Sequence, residues 1–199
     1  MPNWDQNSPE LRDNLVRVLR NIRDAALGRQ SIDSEKIRQW HMDTMKGLDV
    51  PDRALIGCYR GEAGAPDIAV VVGSACGVAP GRIRSALRKF DLRLKDLLGL
   101  LDSTIQVGAD LNSDQLKAVI NACAWAHAEW VRIHPFVNGN GRTARLLANA
   151  IAMRYGLPPF VRLRPRPNDG YSEASCCAMK GHWESTVGCF RRMLLRTIR

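Results

Sequence analysis

A proline and two glycines, Pro135, Gly139 and Gly141, interrupt a stretch that is otherwise helical from Asn112 to Tyr155, and the break restricts the chain to two helices joined by a tight loop. Before it, Leu116, Val119, Ile120, Cys123, His127, Trp130 and Val131 follow the spacing of one helical face, and Asn112 with Gln115 forms a capping box at the start. Pro135 disfavours a helical conformation at His134, so the first helix should end there with the imidazole at its mouth. A second helix is expected to begin near Arg142 and run through Leu146, Leu147, Ala150 and Ile151 to Tyr155, with Gly156 as its cap and Pro158 beyond.

The rest of the chain is organised around similar patterns. Leu11, Leu15, Val18, Leu19 and Ile22 predict a helix over 8–27, and Ile37, Trp40, His41 and Met45 another over 34–46. Ile56, Cys58 and Tyr59, then Ile68 to Val72, read as the two strands of a hairpin over 54–73, separated by Gly61, Gly64 and Pro66. A basic helix over 82–101 buries Ile83, Leu87, Phe90, Leu94 and Leu97, and one or two helices follow the Pro/Arg-rich loop 158–170. The expected architecture is mainly α with one hairpin, in a single domain of 199 residues: N-terminal helices over 1–50, core helices with the loop over 82–156, and C-terminal helices over 157–199.

No apolar run reaches bilayer length and the first twenty residues lack the apolar block of a signal peptide, so a cytoplasmic protein away from membranes is expected. The six cysteines lack paired zinc spacing and are read as reduced thiols. His41, His127 and His182 are too scattered for a metal site.

The segment His134 to Arg145 carries the chemistry. Gly139 and Gly141 allow the amides around Asn140 to form a nest at the start of a helix, which attracts phosphate. Arg142 and Arg145, three apart on the first turn, can reach the same anion with planar, bidentate groups. His134 is the titratable base beside this nest, with an ordinary pKa suited to accepting a hydroxyl proton near neutrality.

His134-Pro135-Phe136-Val137-Asn138-Gly139-Asn140-Gly141-Arg142-Thr143-Ala144-Arg145 resembles the signature of the Fic family, His-Pro-Phe-x-(Asp/Glu)-Gly-Asn-Gly-Arg-x-x-Arg, at every fixed position except the acidic one. Gly57 to Arg60 with Val70 to Val72 resembles that family's flap hairpin, and His127 to Ile133 its pre-motif helix. The resemblance implies a Fic-like helical bundle with a β-hairpin flap, acting as a protein adenylyltransferase that moves AMP from ATP to a Ser, Thr or Tyr hydroxyl of a target protein, in the manner of a toxin. His134 would then be the base. Asn140 with the amides of Gly139 and Gly141 would hold the α-phosphate, Arg142 and Arg145 the outer phosphates, Phe136 would anchor the loop, and the hairpin would align the target segment. Tyr171 would stack on the base or simply pack.

Asn138 stands where the resemblance implies an acidic ligand for the nucleotide's Mg²⁺, and its neutral amide weakens that site. Three readings remain: a weakened enzyme, a non-catalytic nucleotide- or partner-binding protein, and altered cofactor choice. The retained His134, Arg142 and Arg145 favour activity. The string Ser31 to Glu35 matches the family's inhibitory motif only by coincidence, so inhibition is expected to be absent or supplied by a separate antitoxin-like protein. The net charge of +9 concentrates in 154–199, with nine Lys/Arg against three Asp/Glu, which points to an acidic partner or nucleotide phosphates. No nucleic-acid motif accompanies it.

Overall fold

Ser8 accepts a hydrogen bond from the Leu11 N–H and Pro9 occupies the first turn, which starts α1 (Pro9–Leu27). In the computed structural model, residues 8–65, 68–72, 75–168 and 170–198 are described. Asp33 caps α2 (Ser34–Met45), and Asp91 accepts hydrogen bonds from both the backbone N–H and the hydroxyl of Ser34. A two-stranded antiparallel ribbon, β1 (Val71–Val72) and β2 (Ala75–Cys76), precedes α3 (Ile83–Thr104). Then come α4 (Ser113–Ile133), α5 (Asn140–Arg154), α6 (Tyr171–Met179) and α7 (Glu184–Thr197).

Helix α5 is the centre of the bundle. Every residue from Thr143 to Arg154 is buried, and α1, α2 and α4 pack around it. Ala144, Ala148, Ala150 and Ala152 keep its surface thin enough for this close approach. Helix α4 in turn packs against α3, α6 and α7, and its capping box is formed as expected, with Asn112 Oδ1 accepting from Gln115 N and Gln115 Oε1 from Asn112 N. Two polar groups fix α5 against its neighbours. Arg154 pairs with Asp102 on α3 while donating to the Gln30 carbonyl. Asn149 donates to the Val161 carbonyl at 2.8 Å and accepts from the Val161 N–H at 2.9 Å, so a side chain substitutes for a strand partner along the loop that follows α5.

Two boundaries differ from the sequence reading. Helix α5 begins at Asn140 rather than near Arg142, because Gly139 takes the left-handed conformation (φ +83°) that opens the helix two residues earlier. The hairpin is confined to 71–76, and the expected first strand is absent. Arg53–Leu55 form a 3₁₀ turn, Gly57 turns at φ +73°, and Tyr59 makes a single antiparallel bridge to Phe136. The extended preference of Tyr59 is thus satisfied by the loop after α4 instead of by 68–72. Positions 66, 67 and 73 of the expected hairpin lie outside the described residues.

His41 and His127 are buried, as their places on apolar helix faces implied. Burial holds both imidazoles down to about 3, with Arg142 adding to the effect on His41 and Arg145 and Arg166 to that on His127. The unfolded chain therefore takes up these protons first, near 6.5, and the stability they contribute is present above that pH and lost as pH falls toward about 3. Urea unfolding should show stability declining with acidification in this window at up to about 1.4 kcal/mol per pH unit for each imidazole; equal stability at about pH 7 and about pH 5 would contradict their buried, neutral state. Asn149→Ala should cost about 2–4 kcal/mol, since it strands a buried N–H and a carbonyl of Val161. A loss under about 1 kcal/mol would show that water replaces the amide.

Candidate functional site

Helix α4 ends at Ile133, and the next residue, His134, adopts a left-handed conformation (φ 55°, ψ 55°). The following proline disfavours a further helical turn, and a left-handed residue is the usual way to leave a helix, although glycine normally supplies it. For a histidine the conformation stores strain of about 1–3 kcal/mol. The surroundings hold it there. Arg60, a fully buried side chain, donates to the carbonyls of His134 (2.8 Å) and Ile133 (3.2 Å), and its backbone N–H donates to Pro135 O at 2.8 Å. The same guanidinium donates to Ile68 O and Val78 O on either side of the ribbon, so one cation joins the end of α4 to the base of the hairpin.

The His134 Nδ1 lies 3.0 Å from the Val131 carbonyl. A carbonyl only accepts, so Nδ1 carries the proton and Nε2 is the bare, accepting nitrogen. Burial, assisted by the nearby Arg60 charge, lowers the imidazole's pKa to about 4, and it is therefore neutral at physiological pH.

The loop beyond His134 is clamped from three directions. Phe136, fully buried, stacks on His41 with ring centroids 3.9 Å apart and lies 4.9 Å from Tyr59. Asn140 accepts from the Phe136 N–H at 2.9 Å and donates to the Phe136 carbonyl at 2.8 Å. His41 donates from Nε2 to the Asn138 carbonyl at 3.0 Å and accepts at Nδ1 from the Gly57 N–H at 3.1 Å, fixing its own neutral tautomer. A Cβ on Gly139 would lie 2.6 Å from Met45 and 2.9 Å from His41, in a backbone region L side chains rarely adopt; glycine is required there.

These elements border a cleft of about 470 Å³. The α1 residues Leu11 and Leu15 and the strand residues Val71 and Val72 form its apolar sides, with His134 at its edge. The N-terminus of α5 opens into it, and the first amides of a helix lack intrahelical partners and carry partial positive charge. Arg142, Arg145, Arg164 and Arg166 also line it. Arg142 donates to the Asn138 side-chain oxygen at 2.9 Å. Arg145 is buried, donates to the Tyr171 hydroxyl at 3.3 Å and the Leu163 carbonyl at 3.2 Å, and leaves its Nε without a hydrogen-bond partner.

The sequence-derived residues His134, Asn138, Gly139, Asn140, Gly141, Arg142, Arg145 and Tyr171 all reach this cleft, while Phe136 lies beneath it. Two of them have partners within the protein. The Asn140 side chain is engaged by the Phe136 backbone. Tyr171 is buried edge-on against His127, whose Nε2 lies 2.8 Å from its hydroxyl, which is the packed arrangement, one of the alternatives the sequence left open. Glu35 pairs with Arg38 on the exposed first turn of α2 and is not among the cleft-lining residues. The sequence marks His41 only as a helix-face residue and Arg60 only as part of the flap resemblance, and it marks neither Arg164 nor Arg166 as a site residue. Only the Arg-rich composition of 158–170 gave any signal for the last two.

The donor set suits an anion better than a cation. Among the described residues, no group of three or more His, Cys, Asp or Glu is placed to hold a metal ion, and the described lining of the cleft contains no carboxylate. The one residue at the expected metal position, Asn138, presents a neutral oxygen already taken up by Arg142.

Comparison with known proteins agrees with this arrangement. Residues 31–152 match the model of the Fic/DOC family. A 53-residue segment is 53% identical to the protein adenylyltransferase Fic of Drosophila mojavensis, covering 26% of this chain and 11% of that protein. The Drosophila yakuba protein of the same name is 44% identical over 63 residues, 13% of its length. The segment therefore spans only about a tenth of these relatives. The fold as a whole is similar to a Fic-domain-containing signaling protein from Bacteroides thetaiotaomicron (TM-score 0.63, 19% identity, 94% of this chain and 69% of that one). It is also similar to BepC, a VirB-translocated effector of Bartonella tribocorum solved with bound AMPPNP (TM-score 0.66, 17% identity, 92% and 83%). With its mainly α fold, its small hairpin and the loop that joins α4 to α5, the chain belongs to the Fic/DOC family.

Proposed function

We propose that this protein is a nucleotidyltransferase that moves AMP from ATP onto a hydroxyl side chain of a target protein. The observation that carries this reading is the bare Nε2 of His134 at the edge of a cleft lined by Arg142 and Arg145 at the N-terminus of α5. The short segments shared with protein adenylyltransferases and the bound AMPPNP of a structural neighbour support it.

In this reading Nε2 accepts the proton of the target hydroxyl as its oxygen attacks the α-phosphorus. A new P–O bond forms to the target, the bond to the bridging oxygen breaks, and pyrophosphate leaves. The backbone amides opening α5 face the α-phosphate, and Arg142 and Arg145 stabilise the charge that accumulates on the leaving group. The target segment lies along Val71 and Val72, adding a strand to the ribbon edge. The described lining of the cleft includes no Asp or Glu, and in this reading inhibition is either absent or supplied by a separate antitoxin-like protein.

Asn138 favours one second reading, a protein that binds nucleotide without transferring it. Incubation with ATP labelled in the α-phosphate separates the two: transfer labels the protein or a target, and His134→Ala should reduce labelling by about 100-fold or more. Label that persists in this variant would remove His134 from the role of base. With the imidazole neutral down to about 4, the labelling rate should stay level between about pH 6 and about pH 8. A rate that halves near 6.5 would mean an ordinary, solvent-exposed imidazole.

A further inference from the structure

Among the described residues, the charged side chains that line the cleft are all arginines. Arg142, Arg145, Arg164 and Arg166 line it, and its described lining includes no Asp or Glu. Arg145 and Arg166 flank the same Tyr171 ring, with guanidinium carbons 5.9 and 5.5 Å from its centroid, and the groups Arg145 meets, a hydroxyl and a carbonyl, are neutral. Its buried Nε has no hydrogen-bond partner. An uncompensated, desolvated guanidinium of this kind favours an anionic ligand strongly, because the ligand supplies the missing counter-charge.

A divalent cation meets the opposite conditions. The Asn138 Oδ1 is 2.9 Å from the Arg142 Nη2, so a Mg²⁺ bound to that oxygen would sit no more than about 5 Å from a guanidinium nitrogen, with no protein carboxylate in the described lining to offset the repulsion. Mg²⁺ also cancels part of the nucleotide's negative charge, which weakens its attraction to the arginines.

We infer that the cleft binds its nucleotide as the metal-free polyanion, with Arg142, Arg145 and Arg166 supplying the positive charge that magnesium would otherwise bring. This rests on the nucleotide reading above and extends it by naming the form of the ligand. Asn138 is then suited to its place: a neutral acceptor from Arg142 that brings no negative charge of its own, where an aspartate would bring one.

The test is calorimetric titration of the intact protein with ATP, once in EDTA and once in excess Mg²⁺. Affinity in EDTA should be equal or higher; affinity that falls when the metal is removed overturns the inference. Binding in neither condition would overturn the nucleotide reading and this inference with it. Two variants give independent readouts. Arg166→Gln should weaken ATP by about fivefold or more in EDTA while changing AMP affinity by less than about twofold. Asn138→Asp should weaken metal-free ATP and introduce a gain on adding Mg²⁺. A folded Arg166→Gln protein with unchanged preference for ATP over AMP, or an Asn138→Asp protein indifferent to Mg²⁺, would count against the assignment.

Discussion

The reversal of the chain between α4 and α5 depends on backbone hydrogen bonds to buried side chains. From His134 to Gly139 the backbone has left one helix and not yet entered the next, in a region where Phe136 and Val137 are buried. Where it is shielded from water, its polar groups need partners from the protein. Arg60 takes the carbonyls of Ile133 and His134, Asn140 takes both groups of Phe136, and His41 takes the carbonyl of Asn138. Each such bond contributes only about 1 kcal/mol net, but leaving the same group unpaired costs about 1–3 kcal/mol, so the loop has one favourable arrangement and few alternatives. That rigidity allows a histidine to be kept in a strained left-handed conformation with Nε2 directed outward.

The same requirement explains where the cleft's charge comes from. Side chains used to hold the loop are neutral or, in Arg60, shielded beneath it, and the charged residues in the described lining of the cleft are Arg142, Arg145, Arg164 and Arg166. Helix α5 contributes its N-terminus as well, so partial and full positive charges converge on one space. Leu11 and Leu15 of α1 and Val71 of the ribbon flank that space and lower its polarity, which strengthens each electrostatic contact made within it. Arg38, Arg132 and Arg154, by contrast, are paired with Glu62, Glu129 and Asp102 away from the cleft.

Much of this could be read from short-range sequence. The capping box at Asn112 and Gln115, the stop at Pro135 and the glycine-rich opening of α5 depend on residues within a few positions of one another, and local sterics decide them. Longer-range partners were not legible. Tyr59 has the strand preference that placed it in a hairpin, yet its partner is Phe136, brought close by the bundle. For Asn140 the resemblance implies a phosphate ligand, and nothing near it in sequence shows that its side chain also serves both backbone groups of the buried Phe136. Arg60 and His41 act across 74 and 97 positions of sequence, and nothing adjacent to either marks that role.

The three described buried or half-buried imidazoles, His41, His127 and His134, show how one physical cause serves two purposes. Burial disfavours the charged form in each. In His41 the outcome is structural: a neutral ring with one donor and one acceptor links α2, the Gly57 turn and the loop, and it can stack flat on Phe136 without a buried charge. In His134 the outcome is chemical, because a neutral ring whose Nδ1 proton is committed to Val131 has its lone pair at Nε2. Lowered basicity carries a cost in proton affinity. The Arg60 charge deepens that cost for His134, Arg142 for His41, and Arg145 with Arg166 for His127. Burial and a nearby guanidinium therefore push all three rings in one direction, and the partners of the two ring nitrogens decide what each ring does with its neutral state.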